Sequence, residues 1–317
     1  MALVSIPSNP IPDHAVSGHI ETADGVRLRF ARWPAGGGKR KGTVCVFPGR
    51  AEMIEKYFEV VSELRLRGFA VASLDWRGQG GSARALADSR KGHVVDFAEY
   101  QLDLDAFMKQ IVLPDCPPPY FGLAHSMGAA NLLRAIHEER RWFDRVVLCA
   151  PMIDLKINRW PAVARYFTRF MSGIGLGHRY IPGGSAVAVT NRPFASNPVS
   201  SDPVRYERIA SIVEADASLG LGSPTLSWIS AAFRQVDEFA EPEYPAKLRQ
   251  PILIVGAGAD RLVSTAAAEK FAIRLRAGAI VVIPGSRHEI LIERNSIRSQ
   301  FWAAFDAFVP GSASEQR

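Results

Sequence analysis

The amino-acid sequence predicts an α/β fold, in which a mostly parallel central sheet carries helices on both faces and accepts an inserted helical cap. Three observations support this. Short, uninterrupted apolar runs at residues 43–47, 69–75 and 145–150 have the character of strands buried on both faces. Segments with helical apolar spacing separate them, the rhythm of parallel strands joined by crossover helices. That rhythm is lost after Pro151, where Gly and Pro break short helical patterns and no convincing strand pair occurs, and it returns at Pro251.

Taken in order, residues 1–16 are rich in Pro and polar side chains and read as a loose lead-in. Residues 18–33 read as a hairpin with its turn at Asp24-Gly25, because Val26-Arg27-Leu28-Arg29-Phe30-Ala31 alternates in character. Gly36-Gly37-Gly38-Lys39-Arg40-Lys41 is a solvated turn whose basic run is a wet loop rather than a binding patch. A helix is expected over 54–67, stopped by Gly68, and another over 94–112, closed at Pro114. The apolar strand 120–125, the helix 126–140 and the strand 145–150 follow. Residues 152–240 form the expected cap, leaving 17–151 and 241–310 as the core. The core resumes with a strand at 251–256, a helix at 264–276, a strand at 279–284 and a last helix at 289–308. Residues 311–317 are polar and are expected to form a flexible tail.

A chain of 317 residues, 47% hydrophobic and 22% charged, can bury a large core without staples. Its net charge of +6 is spread over scattered Lys and Arg. That argues against a nucleic-acid surface and leaves room for attraction to anionic lipid. Cys45, Cys116 and Cys149 cannot all pair, and Cys45 and Cys149 fall in apolar strands, so free buried thiols in a reducing compartment are expected. The first residues lack a basic segment followed by a long apolar one, and no apolar run approaches the roughly 18 residues that span a bilayer. The expectation is a cytoplasmic protein, with peripheral membrane contact through the cap.

The stretch Tyr120-Phe121-Gly122-Leu123-Ala124-His125-Ser126-Met127-Gly128-Ala129-Ala130 carries the chemistry. A strand that breaks sharply into a helix lifts the residue on the break clear of the sheet, and small residues must flank it. Ser126 is that residue, with Gly128 two after it and Ala124 two before. A Ser there also reads as a helix cap. What separates the two readings is whether the chain supplies a base and an acid, since a hydroxyl is a weak nucleophile until a base takes its proton. Asp260 lies in the loop after the strand at 251–256, and His288 in the loop after 279–284, which gives the order Ser, acid, His with each residue at a strand end. Asp154 is a reserve acid. His125 is read as packing, directed away from the pocket, and Asp75 with Arg77 as a tie between loops. An acyl-transfer site also needs two backbone donors for the oxyanion. These are expected from the N–H of Met127 and from that of Arg50, where Gly49 lets the backbone approach. The Arg50 side chain takes no part in that role and reads as an ordinary surface charge.

The set Pro48-Gly49-Arg50-Ala51-Glu52 with Tyr57, Asp75-Trp76-Arg77-Gly78-Gln79-Gly80-Gly81-Ser82, Ala124-His125-Ser126-Met127-Gly128, Gly258-Ala259-Asp260 and Arg287-His288-Glu289 resembles the monoacylglycerol lipase and bacterial lysophospholipase group of α/β hydrolases. The serine aminopeptidase-type hydrolases are similar too. The resemblance runs from about Gly18 to Phe308, with two departures: Ala124 stands where Gly is usual, and Pro48 where many members carry His. It implies the α/β-hydrolase fold and hydrolysis of a carboxylic ester on a single-chain lipid, a lysophospholipid or monoacylglycerol, through a Ser-His-Asp triad and an acyl-enzyme, with no metal or organic cofactor. Two rival readings are an aminopeptidase or amidase on the same triad, and a ligand-binding relative without turnover. An acidic cluster in the cap would favour the aminopeptidase, but Asp202, Glu207, Glu214 and Asp216 are scattered; the intact Ser, Asp and His argue against the binder. Residues 160–171 read as an amphipathic helix begun by Pro161, with Val163, Phe167, Phe170 and Met171 at helical spacing and Arg165 and Arg169 on another face. Such a helix either lies on an anionic interface, roofs an acyl channel or packs within the cap.

Overall fold

The computed structural model describes residues 2–37, 40–156 and 160–310. Alternating residues pair β1 (Val16–Glu21) with β2 (Arg27–Trp33) as the expected antiparallel hairpin. The continuous apolar runs become β3 (Thr43–Phe47), β4 (Ala70–Leu74), β5 (Tyr120–His125), β6 (Arg145–Cys149) and β7 (Ile252–Ala257), with β8 (Gly278–Ile283) at one edge. Every residue of β3, β4 and β7 is buried, as expected of strands covered on both faces. The eight strands form one sheet in the order β1-β2-β4-β3-β5-β6-β7-β8. β2 runs antiparallel to β4, and every pair from β4 to β8 is parallel. The carboxyl ends of β3, β5, β7 and β8 therefore lie along one rim, where ligands bind in open sheets of this class.

The crossover helices are α1 (Phe58–Leu66), α2 (Ala98–Phe107), α3 (Met127–His137) and, in the insert, α4 (Pro161–Gly173), α5 (Pro203–Ala215) and α6 (Leu226–Ala240). α7 (Thr265–Ala272) and α8 (Asn295–Phe308) complete the core. The helix expected over 94–112 starts at Ala98 and its helical turns run on through Pro114 to Asp115, and the helix expected over 264–276 ends at Ala272. Two further starts differ from expectation. The helix expected from residue 54 begins as a tight turn, Ile54–Tyr57, whose four residues are all buried. The helix expected from residue 289 begins at Asn295, because the Glu293 carboxylate accepts from the amides of Ser201 and Arg287 and anchors the chain between two segments.

The lead-in is not loose over its described residues. Buried Arg29 forks onto Glu55 at 2.8 and 2.7 Å and reaches Asp75 at 2.7 Å. The lead-in closes over this cluster: the Val4 amide donates to Glu55 at 3.1 Å, Asn9 Nδ2 to the Glu55 carbonyl at 2.9 Å, and Trp33 Nε1 to the Pro12 carbonyl at 3.2 Å. Gly38 and Lys39 of the expected turn, and the expected tail at 311–317, lie outside the described residues. Cys45, Cys116 and Cys149 are free and buried.

Between β6 and β7 the described residues form helices and short turns but no strand. α6 packs into the main core through Trp228, Ala232, Phe233 and Phe239, so core packing extends back into the segment 152–240. α4 lies on α6, with Thr168 buried and Arg165 turned to Asp237 at 3.1 Å. Its apolar side chains Val163, Tyr166, Phe167 and Phe170 face outward, continuing from exposed Trp160. Val163, Tyr166 and Phe170 are half or more exposed, whereas Phe167 is 37% exposed and Met171 is half-buried. No helix among the described residues is long and apolar enough to cross a membrane.

Candidate active site

β5 ends at His125 and α3 starts at Met127, so Ser126 must turn the chain alone. Its φ of 50° and ψ of −110° lie in a region that a non-Gly residue occupies only when its surroundings hold it there. Here the Ser126 amide donates to the Cys149 carbonyl at 3.0 Å, and the Ser126 carbonyl accepts from Met152 at 3.1 Å. Strand and helix pass so close that a Cβ on Gly128 would lie 2.5 Å from the Phe47 carbonyl oxygen and 2.6 Å from that of Pro48. Ala124, the departure on the other side, pairs with Phe47 in register and is buried, so its methyl group is accommodated.

The three side chains named from the strand ends come together. His288 Nε2 stands 3.0 Å from Ser126 Oγ, and His288 Nδ1 stands 2.7 Å from Asp260 Oδ2. The other oxygen of Asp260 accepts from the amides of Leu262 at 2.7 Å and Val263 at 3.0 Å. Burial pushes the Asp260 carboxyl up, but the hydrogen bond and charge of His288 with those two amides outweigh it, holding the group below its ordinary range. Asp260 and His288 are both buried. Asp154, the reserve acid, instead accepts from the Leu155 amide and sits 3.9 Å from Arg165.

The Met127 amide opens α3, in the first turn, where helical N–H groups have no intrahelical acceptor. The Arg50 amide, after β3, donates no hydrogen bond among the described residues. Its loop is held from below. The Gly49 amide donates to Glu52, Gln79 Nε2 donates to the Gly49 carbonyl at 2.7 Å and its Oε1 accepts from the Ala51 amide at 3.2 Å, and Trp76 Nε1 donates to the Pro48 carbonyl at 2.8 Å. The segment from Asp75 to Ser82 thus braces the loop. Asp75 and Arg77 do not pair with each other: Asp75 binds Arg29 and the Ile54 amide, while Arg77 binds Asp103 and Asp24.

His125 corrects the sequence reading, since its ring enters the site rather than turning away. Nδ1 lies 2.8 Å from Glu52 Oε1 and Nε2 lies 3.1 Å from the His288 carbonyl, linking the oxyanion loop to the histidine loop. Glu52 also accepts from Tyr57 at 2.6 Å and from Lys56 at 2.7 Å, and Lys56 reaches Glu289 at 2.7 Å. Burial opposes charge throughout this cluster, yet the charges on His125 and Lys56 hold Glu52 well below its ordinary value, and Glu52 in turn raises His125. Glu52 and Lys56 are buried. Polar residues in loops resemble solvated ones in a sequence; the only signal was that Glu52, Tyr57 and Glu289 recur in the motifs already singled out.

The Arg50 side chain is also corrected. It is no surface charge: Nη2 donates to the Gly222 carbonyl at 2.7 Å, the guanidinium lies 5.2 Å from the Trp228 ring centre, and Nε is buried. Ser126, His288, Met127, Arg50 and His125 all line one cavity of about 400 Å³, walled on the cap side by Ile181, Val189, Val199, Tyr206, Ile209 and Trp228. That size and apolar wall suit a small-molecule site. Among the described residues no cluster of three His, Cys, Asp or Glu is arranged to hold a metal ion.

Comparison with known proteins bears on this geometry. The family model described as Serine aminopeptidase, S33, matches residues 38–295. Lysophospholipase L2 of Escherichia coli (strain K12) is 33% identical over 290 residues, covering 87% of this chain and 82% of that protein. A Monoacylglycerol lipase of Mycolicibacterium smegmatis is 26% identical over 275 residues, covering 85% of this chain and 88% of that protein. Among solved structures, a soluble variant of monoglyceride lipase from Saccharomyces cerevisiae superposes with a TM-score of 0.73 at 18% identity, over 93% of this chain and 95% of its own. The architecture predicted from the sequence is thus the α/β-hydrolase fold.

Proposed function

The chain belongs to the serine aminopeptidase S33 family of hydrolases, and we propose that it hydrolyses the carboxylic ester of a single-chain lipid, a lysophospholipid or a monoacylglycerol, through an acyl-enzyme on Ser126. The observation that carries this reading is the hydrogen-bonded chain from Ser126 through His288 to Asp260, facing a largely apolar cavity. Ser126 Oγ attacks the ester carbonyl as His288 Nε2 takes its proton. Asp260 holds the ring through Nδ1 and balances the imidazolium charge. The amides of Met127 and Arg50 receive the oxyanion. Collapse returns the proton from His288 to the departing alcohol and leaves the acyl group on Ser126. Water, losing a proton to His288, then attacks that ester, and the carboxylic acid leaves as Ser126 regains its hydroxyl.

An amine-recognising site would need a free carboxylate. The acids lining the cavity, Glu52 and Glu289, are both engaged by Lys56, which favours ester over aminoacyl substrates. The outward aromatic face of α4 supports a peripheral contact with an anionic membrane. The test is turnover of a panel of lysophospholipids, monoacylglycerols and aminoacyl amides by the wild type beside Ser126→Ala. Fatty acid released from the first two classes by the wild type alone is expected, and release of amine only from the third would overturn the reading.

A further inference from the structure

The cations that line the cavity are not all paired within the described residues. Lys56 is matched by Glu52 and Glu289, and Glu52 is further satisfied by His125 and Tyr57. Two cations remain: Arg50 on the core side, and Arg192, exposed, on the cap side. Among the described residues neither has a carboxylate within ion-pair distance, and the Arg192 side chain makes no hydrogen bond. Arg50 Nε is buried without a partner, and burial pushes its guanidinium down to about 10, with Arg192 contributing in the same direction. An unpaired guanidinium taken out of water is costly unless something anionic meets it.

Position narrows the anion. The Arg50 amide stands where the reacting carbonyl oxygen is proposed to sit, so its guanidinium lies no further from that carbonyl than one arginine side chain extends. In a lysophospholipid the glycerol unit sets a comparable span between the acyl ester and the phosphodiester. The planar fork of arginine also matches a phosphate better than a lysine would. From the residual charge and its place beside Ser126 we infer that Arg50 and Arg192 form a subsite for the phosphodiester of a single-chain phospholipid. This rests on the ester-hydrolase reading and deepens it: a neutral monoacylglycerol leaves both cations without a partner.

The experiment separates the subsite from the chemistry by measuring binding in the Ser126→Ala protein. Calorimetric titrations with a lysophosphatidylglycerol and a monoacylglycerol of the same acyl chain, both below micelle formation, should favour the phospholipid by roughly tenfold or more. Added salt should erode that preference. Arg192→Gln, at the exposed mouth where folding is undisturbed, should cut the preference severalfold, and Arg50→Gln together with it should bring the ratio close to one. Equal affinity for the two lipids, or a ratio unmoved by Arg192→Gln, overturns the subsite. Glycerol 3-phosphate binding as tightly as the lysolipid would assign the arginines to a free phosphate and overturn the headgroup assignment. Absence of ester turnover in the wild type would sink the hydrolase reading while leaving the binding ratio to be judged separately.

Discussion

Below Ser126, Glu52 accepts from the Gly49 amide, Tyr57, Lys56 and His125, and Lys56, His125 and the Gly49 carbonyl are each held again, by Glu289, the His288 carbonyl and Gln79. Above it, in the cap, Arg192 makes no side-chain bond among the described residues and α4 turns Tyr166 and Phe170 to the outside. The floor of the cavity is over-determined, and these groups of the insert are under-determined. Proton transfer fails when donor and acceptor drift apart, so the groups that set that distance are held from several sides. Recognition of a lipid needs surface that is still unsatisfied when the lipid arrives. On the function proposed above, the first demand falls to the strand ends and the second to the insert together with Arg50.

The largest expected effect tests the floor. His288→Ala should lower kcat on a soluble p-nitrophenyl ester by roughly 10⁵ to 10⁶, with circular dichroism and Tm close to wild type. Asp260→Asn should cost about 10⁴, since the ring then loses its preferred tautomer. A loss below tenfold from either change would mean that the bonded chain is structural.

Glu52→Gln comes next. Removing one partner from a buried charged cluster should destabilise the fold by about 3 to 5 kcal/mol in urea unfolding. It should also alter the pH dependence. Glu52 is lowered from 4.5, so its contribution is present above that pH and is lost as pH falls through the lowered folded value. His125 is raised from 6.5, so its contribution is complete below that pH and is lost as pH rises through the raised value. Wild-type stability should fall on both sides of that window and Glu52→Gln should flatten both slopes. Identical pH profiles would remove Glu52 and His125 as the joint support.

The smallest expected effect on stability tests the insert. Tyr166→Ser with Phe170→Ser should move the unfolding free energy by no more than about 0.5 kcal/mol per site, because both side chains already face solvent. Sedimentation with vesicles containing anionic lipid should show several-fold weaker binding for the pair. A large stability loss would show that the aromatic face of α4 is packed rather than solvated.

The contrast between floor and insert also explains what could be read from the chain. Ser126, Asp260 and His288 were legible because each follows a strand whose apolar run is unambiguous, and the order of the three is itself informative. The roles of His125 and of the Arg50 side chain were not, since their partners Glu52, Gly222 and Trp228 are brought near only by folding. Periodicity gave α4 an apolar face, but no periodicity says what a face looks toward. The lead-in seemed loose because Pro and polar residues are common in loops, whereas Val4 and Asn9 in fact close over the buried Glu55.

Ser126 as the nucleophile is the central claim to test. The most direct measurement is covalent labelling with a fluorophosphonate probe, followed by mass mapping of the modified peptide. The predicted result is one adduct, on Ser126, formed by the wild type and absent from Ser126→Ala and His288→Ala. Labelling at another residue, or ester turnover that survives Ser126→Ala, would contradict it.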